Sequence, residues 1–349
     1  MHFESRNYSF ADGEPTKVIA EIGVNHNGSR EIAMQMVDAA ITAGADIIKF
    51  QAFISEKEIS RYAAKAPYQK ETTSSQGNQL DMCKALEMKP ETLRQMKAYC
   101  AERNAPFLCA AFEFDSVDFL VDDLKLSTIK IPSSEVSNLP FLEYIGSKRT
   151  SVILSTGAST LAEVGLAIET LQRAGCPELI LFHCVSSYPA PFEQVNLRAM
   201  ATLKSAYRLP VGFSDHTIGS QAGIAAAALG ACAIEKHFTL DKTMEGPDHR
   251  ASIEPHELAE LVNGVRIAHS ILGDGIKRPV PCELENLPLI RKSLVASRPL
   301  SCGTRLTADM VEIKRPEGGI APGDLHKILG MTLTCDLEFD QPINWTSLR

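Results

Sequence analysis

From about residue 17 to 237 one short pattern recurs along the chain: an apolar run of strand length, followed in most cases by a segment with helical apolar spacing. The runs are KVIAEIGV, ADIIKFQA, PFLCAAF, STIKIPS, SVILSTG, LILFHCV, LPVGFSD and ACAIEKHF, and segments such as REIAMQMVDAAITAG and TLAEVGLAIETLQRAG separate them. Eight strands alternating with helices is the count of a (β/α)8 TIM barrel, so the expected fold class is α/β. An open doubly wound sheet fits less well, because EIGVNHNG lacks the GxGxxG turn of a dinucleotide fold.

Two stretches depart from the repeat. Residues 53–91, with KAPYQKETTSSQGNQ, are too long and polar for an ordinary βα loop, and an insertion there is expected to lie over the active site. After EPHELAELVNGVRIAHSILG the segment GDGIKRPVPCELENLP has three prolines and no periodicity, which reads as a linker. The expected division is a barrel over 1–275, a linker over 276–289 and a small, mostly β domain over 290–349.

The bulk properties exclude several functions. A net charge of −8 with no basic run argues against a nucleic-acid partner, so an anionic substrate must be met by local cations or backbone amides. No apolar run approaches the length of a membrane span, and MHFESRNYSFADGEP lacks a basic-then-apolar signal; the expectation is a cytoplasmic protein with no membrane partner. The nine cysteines form no CxxC and are odd in number, which reads as reduced core thiols.

In a barrel the C-terminal strand ends converge on one cavity, and here they are polar: Glu21, Lys49, Gln51, Lys130, Ser133, Glu135, Ser155, Ser186, Tyr188, Ser214, His216, Glu235 and His237. His216 and His237 close successive strands, so two imidazoles should stand side by side; that pair suits Mn, Fe, Co or Zn, with core imidazoles as the plain alternative. His183 also ends a strand and is taken as structural. Lys49 and Lys130 directly follow apolar runs, where an ammonium needs an anion: a phosphate or carboxylate clamp, a Schiff-base nucleophile, or a structural pair with a carboxylate such as Glu135. The serines and their loop amides add neutral donors for the same anion. Glu21 and Glu135 suit acid–base work or sugar hydroxyls, or else pair with the lysines. Asp248 sits in the turn-rich GPDHRAS.

Taken together, AEIGVNHNG, KFQ, KAPYQKETT, IKIPSSE, ILSTGAST, HCVSSYPAPFEQVNLRAM, VGFSDHTIG, EKHFTLDKTMEGPDHRASIEP and the terminal IKRPEGGIAP resemble the sialic acid synthases, which use phosphoenolpyruvate to make nonulosonic acids. The resemblance runs over nearly the whole chain and implies that the final 60 or so residues form an antifreeze-like (SAF) module. It implies that His216 and His237 hold a divalent metal, usually Mn2+, with Mg2+ or Co2+ as alternatives. Lys49, Gln51, Lys130, Ser133, Ser155 and Ser214 fall on phosphoenolpyruvate-binding positions, with Ser186 where some members have asparagine. Glu21, Glu135, Tyr188 and Asp248 fall on positions that orient an N-acetylated amino sugar and assist the chemistry. Arg315 matches an arginine that reaches a partner's barrel, implying a domain-swapped homodimer.

The implied reaction condenses phosphoenolpyruvate with an N-acetylmannosamine-type aldose and releases phosphate. N-acetylneuraminate is the first expected product and N,N'-diacetyllegionaminate the alternative. FLCAAF departs from the family's FSTPF, so Cys109, Ala110 and Ala111 are expected to remove a hydroxyl from the cavity wall, and Ser134 replaces a glycine. A Schiff-base aldolase or lyase would need no histidine pair, and a non-catalytic sugar-binding protein would need no converging polar rim.

Overall fold

The computed structural model describes residues 2–4, 9–11, 13–73 and 76–349. The opening segment read for a secretory signal lies in part outside them, as do two serines of the insertion. All eight expected strands form: β1 (Lys17–Gly23), β2 (Ile47–Ala52), β3 (Phe107–Ala111), β4 (Thr128–Ile131), β5 (Ser151–Ser155), β6 (Leu179–Cys184), β7 (Val211–Asp215) and β8 (Ala233–His237). They are parallel and close into a barrel, β8 pairing with β1 so that His237 lies opposite Glu21. The helices around them start where the chemistry dictates. The Ser29 hydroxyl accepts the Ile32 N–H at the head of Arg30–Thr42, and Thr160 with Glu163 makes a capping box on Leu161–Ala174.

Strand alternation sorts side chains into two populations. Val18, Ala20, Ile22, Ile48, Phe50, Ile129, Ile131, Val152, Leu154, Leu181 and Phe213 point outward and join the helices in the main apolar core. Inward positions begin with an apolar floor of Ile19, Ile47, Leu108, Ile153, Ile180 and Ala233, with Phe182 packed on it. One layer above, every strand but β6, which contributes Phe182, turns polar or small. Gly212 is required at that level: a Cβ there would lie 2.5 Å from a ring carbon of Phe182.

The insertion is built of three short helices, Ser55–Glu58, Pro67–Thr72 and Gln79–Leu86. Val24, Phe53, Met82 and Leu86 form a small apolar cluster beneath it.

The chain divides into two compact units, Met1–Gly273 and Asp274–Arg349. Two one-turn helices, Pro281–Leu284 and Leu287–Ile290, occupy the segment expected to be a bare linker, and the Glu317 N–H bonds the Pro288 carbonyl within the second unit. That unit pairs Ser293–Ala296 with Val311–Lys314 antiparallel around a core that includes Leu294, Leu306, Ile320, Ile328, Leu333 and Ile343. No disulfide joins the cysteines among the described residues. The reading as core residues holds for Cys100, Cys109, Cys176 and Cys184, whereas Cys282, Cys302 and Cys335 of the second unit are exposed. No described helix is long and apolar enough to cross a membrane.

Candidate active site

Alternate strands of a barrel contribute the side chains of one interior layer. Immediately above the floor that layer is Lys49 from β2, Lys130 from β4, Phe182 from β6 and Glu235 from β8. Three of the four are charged and nearly inaccessible. One Glu235 oxygen lies 3.2 Å from the Lys49 ammonium and accepts the Ser214 hydroxyl at 3.0 Å; the other accepts from Lys130 at 2.9 Å. Lys130 also sits 4.1 Å from the centre of the Phe182 ring. Glu21 completes the array from β1, 3.0 Å from Lys49, with Gln51 donating to its second oxygen at 2.6 Å.

The imidazoles stand over this layer, ring centres 5.5 Å apart. His216 Nδ1 donates to the Val185 carbonyl at 2.8 Å, which fixes the tautomer and leaves the Nε2 lone pair facing the cavity. His237 Nδ1 is buried without a hydrogen-bond partner, and its nearest charged neighbour is the Asp248 carboxylate at 3.7 Å. A buried acceptor left bare beside a second imidazole nitrogen, touched only at 3.5 Å by the Ser214 hydroxyl, is a donor set that suits a divalent cation, so these residues fit the group. Tyr188 stacks on His216 at 4.1 Å and meets His237 edge-on at 5.5 Å.

The charges follow from this packing. Burial raises Glu21, with Lys49 opposing and Glu235 adding to the rise. Burial works against charge on Glu235 as well, yet Lys130 and Lys49 hold it well below the usual carboxylate range. Burial lowers Lys130, and Glu235 only partly offsets it. On Lys49 burial is outweighed by Glu21 and Glu235, and the ammonium is raised. Burial, His216 and Lys49 push His237 well down, so it is neutral and ready to ligate. His216 moves the other way: burial is outweighed by Cys184, whose sulfur lies 3.7 Å from Nδ1. Burial lifts Asp248 to about 6.

These groups line one cavity of about 230 Å³, with Ser133, Ser155 and Ser214 on its walls and Glu58, Tyr68, Gln69 and Met82 of the insertion closing it.

Comparison with known proteins matches this architecture. The NeuB family profile covers residues 36–277 and the SAF domain profile residues 291–349. The chain belongs to the NeuB family. It is 43% identical over 330 residues to the N,N'-diacetyllegionaminic acid synthase of Campylobacter jejuni, covering 94% of this chain and 98% of that one. It is 40% identical to the protein of the same name from Legionella pneumophila, covering 95% and 94%. The crystal structure of N-acetylneuraminic acid (sialic acid) synthetase from Leptospira borgpetersenii, a citrate complex, superposes with TM-score 0.73 at 33% identity, covering 82% of this chain and 95% of that one. NeuB membership makes the chain one of the sialic-acid-type synthases, with a SAF domain at its end.

Against that NeuB frame, most of the residues singled out in the sequence meet in the cavity, and three do not. Glu135 is turned away by the short helix Ser133–Glu135; its carboxylate accepts from Ser134 and Asn138, so it is neither a cavity group nor the partner of a lysine. Ser186 is exposed and reaches the cavity only through Ser133, at 3.0 Å between hydroxyls. Arg315 lies in the second unit, exposed, just before the cis Pro316.

His183 is structural, as expected, its Nε2 2.7 Å from the Val195 carbonyl. Of the three departures on β3 only Ala110 faces the cavity, because Cys109 and Ala111 alternate outward into the core. Glu235, read in the sequence as one of the polar strand ends but given no role, lies at the centre of the site. Its signal was present: a carboxylate two residues before His237 must share that strand's inward face. Glu254, His256 and Glu257 also bring ligand atoms within 4.8 Å of one another. There, however, Glu257 bonds Lys242 and the Glu254 N–H, so the cluster caps a helix.

Proposed function

We propose that this chain condenses phosphoenolpyruvate with the open-chain aldehyde of an N-acetylated amino sugar. A bond forms between C3 of phosphoenolpyruvate and the aldehyde carbon, water adds at C2, and the C2–O bond breaks to release inorganic phosphate. The observation that carries this reading is the adjacency, in one cavity, of a lysine pair above an apolar floor and two imidazoles, one of them with a buried, unpartnered Nδ1. When bound by His216 and His237, a divalent cation, Mn2+ by family resemblance, would supply Lewis acidity toward the aldehyde oxygen.

The chain's own groups do the rest. Lys49 and Lys130 hold the phosphate and carboxylate, with Ser133, Ser155 and Ser214 as neutral donors. Glu21, kept basic enough by burial and oriented by Gln51, faces C2 and takes the proton of the entering water. Asp248 and Tyr188, beside the imidazoles, orient the sugar. Closure by the insertion keeps bulk water from the cationic C2.

N-acetylmannosamine would give N-acetylneuraminate, and a 2,4-diacetamido-trideoxy aldose would give N,N'-diacetyllegionaminate. The names of the Campylobacter and Legionella relatives favour the second, as does the apolar wall of Val24, Phe53, Met82 and Leu86, against which a deoxy carbon packs without losing a hydrogen bond.

The test is phosphate release from phosphoenolpyruvate across a panel of both acceptors, with EDTA and then with added Mn2+. Acceptor-dependent release, abolished by EDTA and restored by Mn2+, is expected. Release that is indifferent to chelation, with an adduct trapped by borohydride, would instead establish Schiff-base chemistry at a lysine.

A further inference from the structure

Outward positions of the barrel strands are apolar except for His183 on β6 and, beside the paired histidines, one charged pair. Asp215 on β7 and Lys236 on β8 sit directly opposite each other in register, point away from the cavity, and have no accessible side-chain surface. They lie under the helix Gln221–Ala228, where a Cβ added to Gly223 would come 3.6 Å from the Asp215 carboxylate. A buried ion pair usually stabilises a fold no more than apolar side chains of similar volume would, so its contribution has to be sought elsewhere.

Its contacts show where. The Lys236 ammonium donates to one Asp215 oxygen at 2.9 Å and to the Thr217 carbonyl at 2.5 Å. The other Asp215 oxygen accepts the Thr217 N–H at 2.9 Å. One lysine thus grips the chain immediately before and immediately after His216, and the next residue after that lysine is His237. On the far side, the Ala190 N–H bonds the His216 carbonyl and the Ile253 N–H bonds the His237 carbonyl, each at 2.9 Å. Nothing in this lock faces substrate.

We infer that Asp215 and Lys236 are positioning residues, whose ion pair fixes His216 and His237 relative to one another as a two-imidazole cation site. The inference rests on the reading of those histidines as cation ligands and adds residues that lie outside the cavity.

Removing one partner would strand a buried charge, so the test replaces both. The Asp215→Leu/Lys236→Met double variant is titrated with Mn2+ alone, free ion being read by electron paramagnetic resonance, and its melting temperature is measured alongside. The expected result is Mn2+ affinity about 10- to 100-fold weaker, the usual effect of disturbing groups that hold ligands in place. The melting temperature should drop only modestly, because the Thr217 N–H and carbonyl lose their partners, and binding of inorganic phosphate should be unchanged because the lysine layer is untouched. The Asp215→Asn/Lys236→Met variant keeps an acceptor for the Thr217 N–H and should fall between; it decides the matter if the first variant does not fold. Affinity within threefold of the native chain in either folded variant would overturn the inference. Absence of Mn2+ binding by the native chain would be a different failure, removing the cation reading and this inference with it.

Discussion

At the scale of single residues, the site is organised by a carboxylate that no substrate need touch. Glu235 is the one ion-pair partner found for Lys130, whereas Lys49 keeps Glu21 as a second. Glu235→Gln should therefore fall mainly on Lys130 and cost about 3–5 kcal/mol, the penalty for leaving a buried charge unpaired. Ser214→Ala, which removes a single donor to the same carboxylate, should cost about 1.5–3 kcal/mol. Urea denaturation of both variants checks the order, and a Glu235→Gln cost under about 1 kcal/mol would show that Lys130 has another anchor.

Glu58, on the insertion, offers a pH test. Burial, then Glu135 and Glu113, raise it to about 7 from an ordinary 4.5. The native state thus keeps this proton after the unfolded chain has lost it, so stability falls as pH rises from about 4.5 to 7. The Glu58 residue is nonetheless exposed to solvent by surface area, which screens the shift and holds its effect to roughly 1 kcal/mol or less. Glu58→Gln should melt with the native chain at pH 4 and above it at pH 8. Equal melting at both values would place Glu58 in open solvent.

Strands and their layers explain what was legible beforehand and what was not. The repeat of apolar runs is a local signal, so eight strands, their polar ends and the overlying insertion could be read directly. The histidine pair was legible for the same reason, since both residues end strands that are adjacent in sequence order. Pairing across the barrel is a product of closure. That Glu235 meets Lys130, four strands away, depends on tilt and layering that no local pattern encodes, and so the lysines were matched to Glu135 instead. Glu135 itself was misplaced because the short helix after β4 turns its carboxylate onto Ser134 and Asn138, and the run KIPSSE does not show that turn.

The layering also makes a prediction about β7. Because Phe182 fills the floor against Gly212, Gly212→Ala would press a Cβ to within 2.5 Å of a ring carbon and 2.9 Å of the Ala233 carbonyl. Overpacking of this kind costs about 1–3 kcal/mol. Phe182→Leu in the same chain should recover part of the loss, which calorimetric melting of the single and double variants would show. An additive, larger loss in the double variant would mean that the floor is not packed in the way described.

For the whole molecule, the two units raise a question that the barrel alone does not answer. The cavity's own lysines lie on its floor, and Arg315 is exposed in the second unit. The family resemblance suggests that this arginine serves the acceptor sugar in a partner's barrel, and the proposal can be tested by complementation. Glu21→Gln disables a barrel but leaves Arg315 intact, while Arg315→Ala does the reverse. If the arginine acts within its own chain, mixing the two inactive proteins restores nothing, because every site lacks one group or the other. If it acts across a dimer, half of the randomly reassorted dimers are mixed. In each of those, the Arg315→Ala barrel receives an intact arginine from its partner. About one quarter of native activity per site should then return after the subunits are unfolded together and refolded. Phosphate release at saturating phosphoenolpyruvate and acceptor measures it. Recovery near a quarter places the arginine in trans. No recovery, from proteins that refold singly to native yield, places it in cis or removes it from the site, and phosphoenolpyruvate binding by the Arg315→Ala protein should be unchanged in either case.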